Sequence, residues 1–200
     1  MAEFVRRLRV RSGTLVLDVG GVAQIWELAP VKPCVVFLNQ PRAKSEIGDA
    51  SVVVFADGAS LPFRDRSFDV VFSNSVIEHL ASDGERTKFA AEVARVGKSY
   101  WVQTPNRRFP VELHLWTPLI HWLPRTWQAR VLKRFSVWKL VTRPTAERSE
   151  WYVRHYLDSA HLLTAPELRA LFPGAAVWHE RFLGWSKSLV AYRVEQNSLQ

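Results

Sequence analysis

The chain is poor in cysteine. Cys34 is the one thiol among 200 residues, so no intramolecular disulfide is available, in keeping with a reducing compartment. It sits in the apolar run VKPCVVFL, which predicts a buried strand thiol rather than a reactive one. Long apolar runs are also missing. The longest, Leu113 to Leu123, is interrupted by His114, Thr117, Pro118 and His121. Nothing reaches the roughly 18 residues that a membrane-spanning helix needs. The N-terminal stretch MAEFVRRLRVRSG is basic, but its apolar residues are scattered and no continuous apolar core follows, unlike a secretory leader. A soluble, cytoplasmic chain, or one peripheral to a membrane, is expected. No internal repeat or low-complexity tract is visible.

What is present suits one globular domain. Hydrophobic residues make up 48% of the chain, and a domain of this length buries roughly 70% of its unfolded surface, enough for a core without metal or disulfide. Apolar runs at Thr14–Val19, Val35–Leu38, Val52–Phe55, Phe68–Ser73 and Tyr100–Gln103 read as strands. Between them lie a possible short helix over Val22–Leu28 and a clearer one over Glu85–Val96, where Phe89, Val93 and Val96 share a face and Gly97 supplies a stop. A basic lead, Phe4–Arg11, reads as a helix or arm. Strands alternating with helices imply a parallel sheet covered on both faces. Ligands of such sheets bind beyond the carboxyl ends of the strands. The residues in those places are Gly20-Gly21, Asn39, Asp57, Ser73-Asn74 and Pro105-Asn106.

After Pro105 the character changes. Residues 107–154 carry ten arginines and lysines against three glutamates, with many aromatics. Over Thr126–Val141, Trp127, Val131, Phe135 and Trp138 form a helical stripe with Arg130, Lys133 and Arg134 off it. We read 107–160 as a cap inserted between the fifth strand and the closing strands of a single domain spanning 1–200. Thr164-Ala165-Pro166-Glu167 has the spacing of a capping box and starts another helix, which Phe172-Pro173-Gly174 ends. Val177–Leu183 and Ser188–Val194 then read as two closing strands joined by a turn at Gly184.

Three stretches, LDVGG, ADGASLPFRDRSFDVVFSNSVIEHL and YWVQTPN, resemble the class I S-adenosylmethionine-dependent methyltransferases, especially the broad group that includes the ubiquinone and menaquinone biosynthesis enzymes. They cover about residues 14–106. The resemblance implies an α/β, Rossmann-like three-layer sandwich: a seven-stranded, mostly parallel sheet with an antiparallel last strand, here with a basic, aromatic-rich helical cap. It implies S-adenosyl-L-methionine as cofactor. Asp18, Gly20 and Gly21 would lie beneath its methionine portion, Asn39 at its ribose, and Asp57, Gly58 and Ala59 at its adenine. Ser73 and Asn74 would face the sulfonium and the acceptor, and His79 matches a histidine frequent at this place. Two departures stand out. The Gly-x-Gly-x-Gly turn is Gly20-Gly21-Val22-Ala23-Gln24 here, and the usual acidic residue at the end of the second strand is Asn39. An amide still bonds a diol, without the charge-assisted part.

Methyl transfer is an in-line displacement that needs alignment, exclusion of water and sometimes a base. Candidate bases are His79, Glu112 and His114, the last two forming a possible base and orienter at the site mouth. Asn106, Arg107 and Arg108 follow the fifth strand and suit an anionic acceptor. The spacing of Glu112, His114 and His79 is unlike helical metal motifs, so no metal is expected. SNSV replaces the Asn-Pro-Pro-aromatic motif of amino-group methyltransferases, and no cysteine follows the fourth strand. The resemblance favours an oxygen or carbon nucleophile on a small-molecule or lipid-linked acceptor. The cap suits peripheral contact with an anionic membrane through 107–154, or simple packing on the sheet domain. Nucleic acid is not expected, since no RNA module is recognised. Two rivals remain: a non-catalytic cofactor-binding relative of the same fold, and a nicotinamide enzyme, against which the incomplete dinucleotide fingerprint argues.

Overall fold

The computed structural model describes residues 1–41, 52–112, 116–134, 137–159 and 161–195. Five strands, β1 (Leu15–Val19), β2 (Cys34–Asn39), β3 (Val53–Phe55), β4 (Phe68–Asn74) and β5 (Gly97–Pro105), run parallel. A small hairpin, β6 (Val111–Glu112) and β7 (Thr117–Pro118), follows. The chain returns as β8 (Ala176–Phe182) and β9 (Trp185–Arg193), with β9 antiparallel to both β5 and β8. The main sheet has seven strands in the order β3-β2-β1-β4-β5-β9-β8. The reversal of order at β1 and β4 marks the switch point where such sheets bind ligands. The expected seven-stranded, mostly parallel sheet with an antiparallel final strand is what forms.

Helices cover both faces. α1 (Ala2–Leu8) and α2 (Gln24–Glu27) lie on one side, where Phe4, Leu8 and Trp26 pack with Val16, Phe37, Phe72 and Trp101. α3 (Asp83–Val96) and α7 (Ala165–Leu171) cover the other, where Phe89, Val93, Val96 and Leu168 pack with Leu17, Val71, Tyr100 and Val102. Successive strand residues thus feed opposite cores, as the two-residue period of a strand dictates.

Several local expectations hold for identifiable reasons. α3 begins two residues before the predicted start because Ser82 caps it, its Oγ accepting from Glu85 N at 3.1 Å. Gly97 ends α3, with extended rather than left-handed backbone. Its glycine is required by packing: a Cβ would meet Ser99 O at 2.6 Å and Val71 Cγ2 at 2.8 Å. At α7, Thr164 N donates to Glu167 Oε2 at 2.7 Å, the predicted capping interaction.

Other expectations need correction. Cys34 is exposed rather than buried, because it is the first residue of β2, ahead of the positions that α1 and α2 cover. The single helix predicted over Thr126–Val141 is instead α4 (Arg125–Arg134) and α5 (Val137–Thr142), with Phe135 outside the described residues. The predicted stripe is kept in part, with Val131 and Trp138 packed on the core of this region. α4 buries Gln128 and Leu132, one turn apart, and leaves Trp127 exposed. α6 (Ala146–Ser159) packs against α4, and Ile120, Leu132 and Val153 form a small core that belongs to the cap itself.

Candidate functional site

The first strand ends in a turn that only glycine suits. Gly20 has φ +77°, and its N–H donates to Leu38 O at 2.8 Å. A Cβ on Gly20 would lie 2.4 Å from Val76 Cγ2, and one on Gly21 would lie 1.8 Å from Asp18 Oδ2. The turn is therefore pressed between the Asp18 carboxyl and the Val76 side chain. Asn39, at the end of β2, donates from Nδ2 to Gly21 O at 2.9 Å and so ties the turn to the neighbouring strand. Its Oδ1 remains as an acceptor.

Asp57 follows β3. Its Oδ1 accepts from Ala59 N at 2.9 Å, an Asx turn that fixes the loop. Gly58 sits tight against the core, since a Cβ there would be 3.2 Å from the Phe89 ring. After β4, Ser75 adopts φ 58° and donates its N–H to Gln103 O at 2.9 Å. The chain then turns through Ile77–His79, and His79 emerges at the rim.

These strand ends converge on one cavity of about 290 Å³, lined among others by Gly20, Asn39, Asp57, Gly58, His79 and Phe89. It lies near the lower end of the roughly 300–1,000 Å³ typical of small-molecule sites. Leu38, Ala56, Leu80 and Phe89 give it apolar walls, while Asn39 and Asp57 add acceptors. That combination fits an adenosyl group: flat apolar faces, a carboxylate for an exocyclic amine and an acceptor for a hydroxyl. Val76, Leu80 and Gln40 line the cavity without having been singled out in the sequence. Nothing in residue type marks them, and only the path of the loops brings them in.

Other predicted residues lie elsewhere. Asp18 is fully buried against Trp26, whose Nε1 donates to Oδ2 at 2.7 Å, while Oδ1 has no partner. Burial pushes its pKa up to about 7, with the Trp26 bond opposing the shift. Asp18 therefore supports the turn from below and does not line the cavity. Ser73 is also fully buried and gives its hydroxyl to Val19 O at 3.0 Å, so it cannot face a sulfonium. Asn74 lines a different cavity, of about 560 Å³, between the sheet and α1 and α2, together with Gln103, Trp178 and Lys187. Ala59 borders the adenosyl-type cavity only through its N–H to Asp57.

Glu112 was expected at the site mouth but is buried in β6. His114, its expected companion, lies outside the described residues. Asn106 was expected to meet substrate. Instead, Nδ2 donates to Ser186 O at 2.9 Å and Ser186 Oγ at 3.0 Å, and Oδ1 accepts from Arg108 N. It joins β5 to β9. Glu78, beside His79, was missed. It is fully buried, accepts from Thr104 Oγ1 at 2.9 Å through Oε2 and from His161 N at 2.7 Å through its carbonyl. It thereby links the end of β4 to β5 and to the returning end of the cap.

A basic cavity of about 330 Å³ lies on that far side, lined by Arg107, His121, Arg125, Gln128 and His161, with Leu123, Pro124 and Leu162. Among the described residues no carboxylate is in its wall, although Asp83 and Glu167 act on His161 electrostatically. The N-terminus of α4 opens beside it and has no acidic residue in its first turn. Burial lowers the pKa of both His121 and His161.

Residues 21–100 match the family model described as methyltransferase domain. No curated protein matches significantly. Among solved structures, the chain is similar to a SAM-dependent methyltransferase from Methanosarcina mazei, with 16% identity, TM-score 0.58, and 98% of this chain and 99% of that one covered. It is also similar to a chain from the Haloferax volcanii complex of the Trm112 methyltransferase activator with a methyltransferase, with 15% identity, TM-score 0.56 and coverage of 96% and 86%. A SAM-dependent methyltransferase from Aquifex aeolicus gives 14% identity, TM-score 0.51 and coverage of 95% and 86%.

Proposed function

We propose that this chain, whose residues 21–100 match a methyltransferase domain and whose fold is that of SAM-dependent methyltransferases, transfers a methyl group from S-adenosyl-L-methionine to an oxygen or carbon of an anionic small-molecule or lipid-linked acceptor. The observation that carries this reading is the cavity at the strand ends, where Gly20, Asn39, Asp57, Gly58 and His79 meet. S-adenosyl-L-methionine, when bound, supplies an electrophilic methyl on its sulfonium.

The chain's own residues do the holding and the orienting. Asp57 uses the carboxylate oxygen not spent on Ala59 to accept from the adenine amine. Asn39 Oδ1 accepts from a ribose hydroxyl, while Nδ2 keeps the glycine turn in place. Leu38, Ala56, Leu80 and Phe89 exclude water from the ring. His79, at the rim, is the remaining candidate to take a proton from the acceptor, as Glu112 is buried away from the cavity. The basic cavity holds the acceptor's anionic group through Arg107. One connection favours this: His161, in its wall, is bonded to Glu78, the neighbour of His79.

A second reading, cofactor binding without turnover, rests on the glycine turn. Val76 and Asp18 occupy the space against Gly20 and Gly21, which narrows the approach to the turn. The two separate in one experiment. The protein is incubated with methyl-labelled S-adenosylmethionine and fractionated acidic metabolites and lipids. Label entering an anionic acceptor, with Arg107→Gln raising KM for that acceptor while leaving S-adenosylhomocysteine affinity unchanged, supports methyl transfer. Ligand binding with no labelled product in any fraction supports the second reading.

A further inference from the structure

We infer that the tip of the β8–β9 hairpin is a docking element for an anionic lipid bilayer. Phe182 pairs with Trp185 across a two-residue loop, Leu183-Gly184. Both loop residues have positive φ, 48° at Leu183 and 84° at Gly184, as in the type I′ turns that close tight hairpins. Such turns select Asn, Asp or Gly at the first position. A bulky side chain with positive φ is an outlier that its own backbone disfavours. Leu183 is 85% exposed, and Phe182 and Trp185 are each 57% exposed. Leu183 therefore gains no burial to offset its conformation. Turn preference and core packing both argue against leucine here, and an apolar environment outside the folded chain accounts for it.

The surroundings point to lipid. Arg181 precedes the tip and Lys187 follows it; Lys187 stands 3.8 Å from Glu180, the one acid of the hairpin. Asn106 bonds Ser186, and its N–H donates to Lys187 O at 3.0 Å. The exposed Arg107 and Arg108 therefore start at the hairpin base. Trp122 donates from Nε1 to Arg107 O at 2.9 Å and leaves its indole half exposed. Apolar and aromatic groups at a protruding tip, with four cations around its base, match the two layers of a bilayer surface: acyl chains below, anionic headgroups above. β8 runs in the same direction as β1–β5, so the tip lies at the end of the sheet where those strands finish, on the edge opposite β3. The inference does not depend on methyl transfer, and its test does not use it.

The full chain is mixed with phosphatidylcholine vesicles, with and without phosphatidylglycerol, and sedimented. Co-sedimentation with the anionic vesicles that weakens in high salt is expected. Leu183→Asn suits the turn, so it should melt at or above the wild-type temperature, yet bind vesicles roughly tenfold more weakly or less. Trp185→Ser should weaken binding in the same way. Failure of the wild type to sediment, or unchanged binding by Leu183→Asn, overturns the inference. So does a lower melting temperature for Leu183→Asn, which would make the tip a packing element. A wild-type dimer in sedimentation velocity that Leu183→Asn dissolves would assign the tip to a second copy and also overturn it.

Discussion

The sheet and the cap hold themselves together on different scales. Between β1 and β5, side chains such as Leu17, Val71 and Phe89 are wholly buried, and two cores lie back to back across the strands. Among the described residues, the cap's core consists of Ile120, Leu132 and Val153 with Val131 and Trp138 packed on it, under a surface that leaves Trp116, Trp122, Trp127 and Trp151 exposed. The two cavities divide accordingly. The adenosyl-type cavity stands on strand ends that the sheet fixes. The basic cavity stands on side chains of the cap and of the loops that join it to the sheet. Under the proposed function this difference would set a cofactor site fixed by the sheet beside an acceptor site carried by loops, where one fold keeps its chemistry while substrates vary.

The comparison breaks first in the sheet. Phe89→Ala removes a buried ring that also walls the cavity, and should cost about 3–5 kcal/mol. In chemical denaturation it should lower the midpoint for the whole domain and abolish ligand-induced stabilisation. Leu132→Ala in the cap should cost about 2–5 kcal/mol of local packing. Hydrogen exchange should then rise across α4 and α6 while the amides of β1, β4 and β5 stay protected, and the response to S-adenosylhomocysteine should persist. Equal loss of protection in both regions would show that cap and sheet are one cooperative unit.

A smaller effect sharpens the account of the glycine turn. The folded pKa of Asp18 is raised to about 7 by burial, against about 3.9 in an unfolded chain. The native state therefore binds more protons between these values, and this contribution to stability falls as pH rises from about 4 to about 7. Asp18→Asn mimics the protonated acid and keeps an acceptor for Trp26. Its stability relative to wild type should improve from pH 5 to pH 8, by at most ~1.4 kcal/mol per pH unit across that window. A constant difference between the two proteins at pH 5 and pH 8 would contradict a neutral Asp18.

The sheet was legible because its residues obey rules with local causes. Continuous apolar runs marked the buried strands, Gly97 and Thr164 marked helix boundaries, and the residues after each strand named the polar part of the cavity floor. Asp57, Asn39 and Gly20 were found this way. What was misjudged depends on direction rather than position. Asp18 and Ser73 sit at the expected places, but the alternation of a strand turns both inward. Asn106 and Glu112 are polar residues consumed by structure, and composition does not reveal whether a polar group is already satisfied. Glu78 was overlooked beside His79 because a buried carboxylate in a short helical turn has no periodic signature. In the cap, Val131 and Trp138 of the predicted stripe pack on the core, while a local rotation at the start of α4 leaves Trp127 at the surface and Gln128 inside. That rotation follows from the three-residue core with α6, a tertiary contact that periodicity does not encode.

The central claim is that the strand-end cavity binds an adenosyl cofactor. Isothermal titration of S-adenosylhomocysteine into the wild type and Asp57→Ala tests it most directly, with melting temperatures recorded for both. The account predicts saturable one-to-one binding by the wild type. It predicts affinity reduced roughly tenfold or more in the variant, the loss expected for a hydrogen bond to a charged group, with little change in melting temperature without ligand. No binding by the folded wild type, or equal affinity in the two proteins, would contradict it.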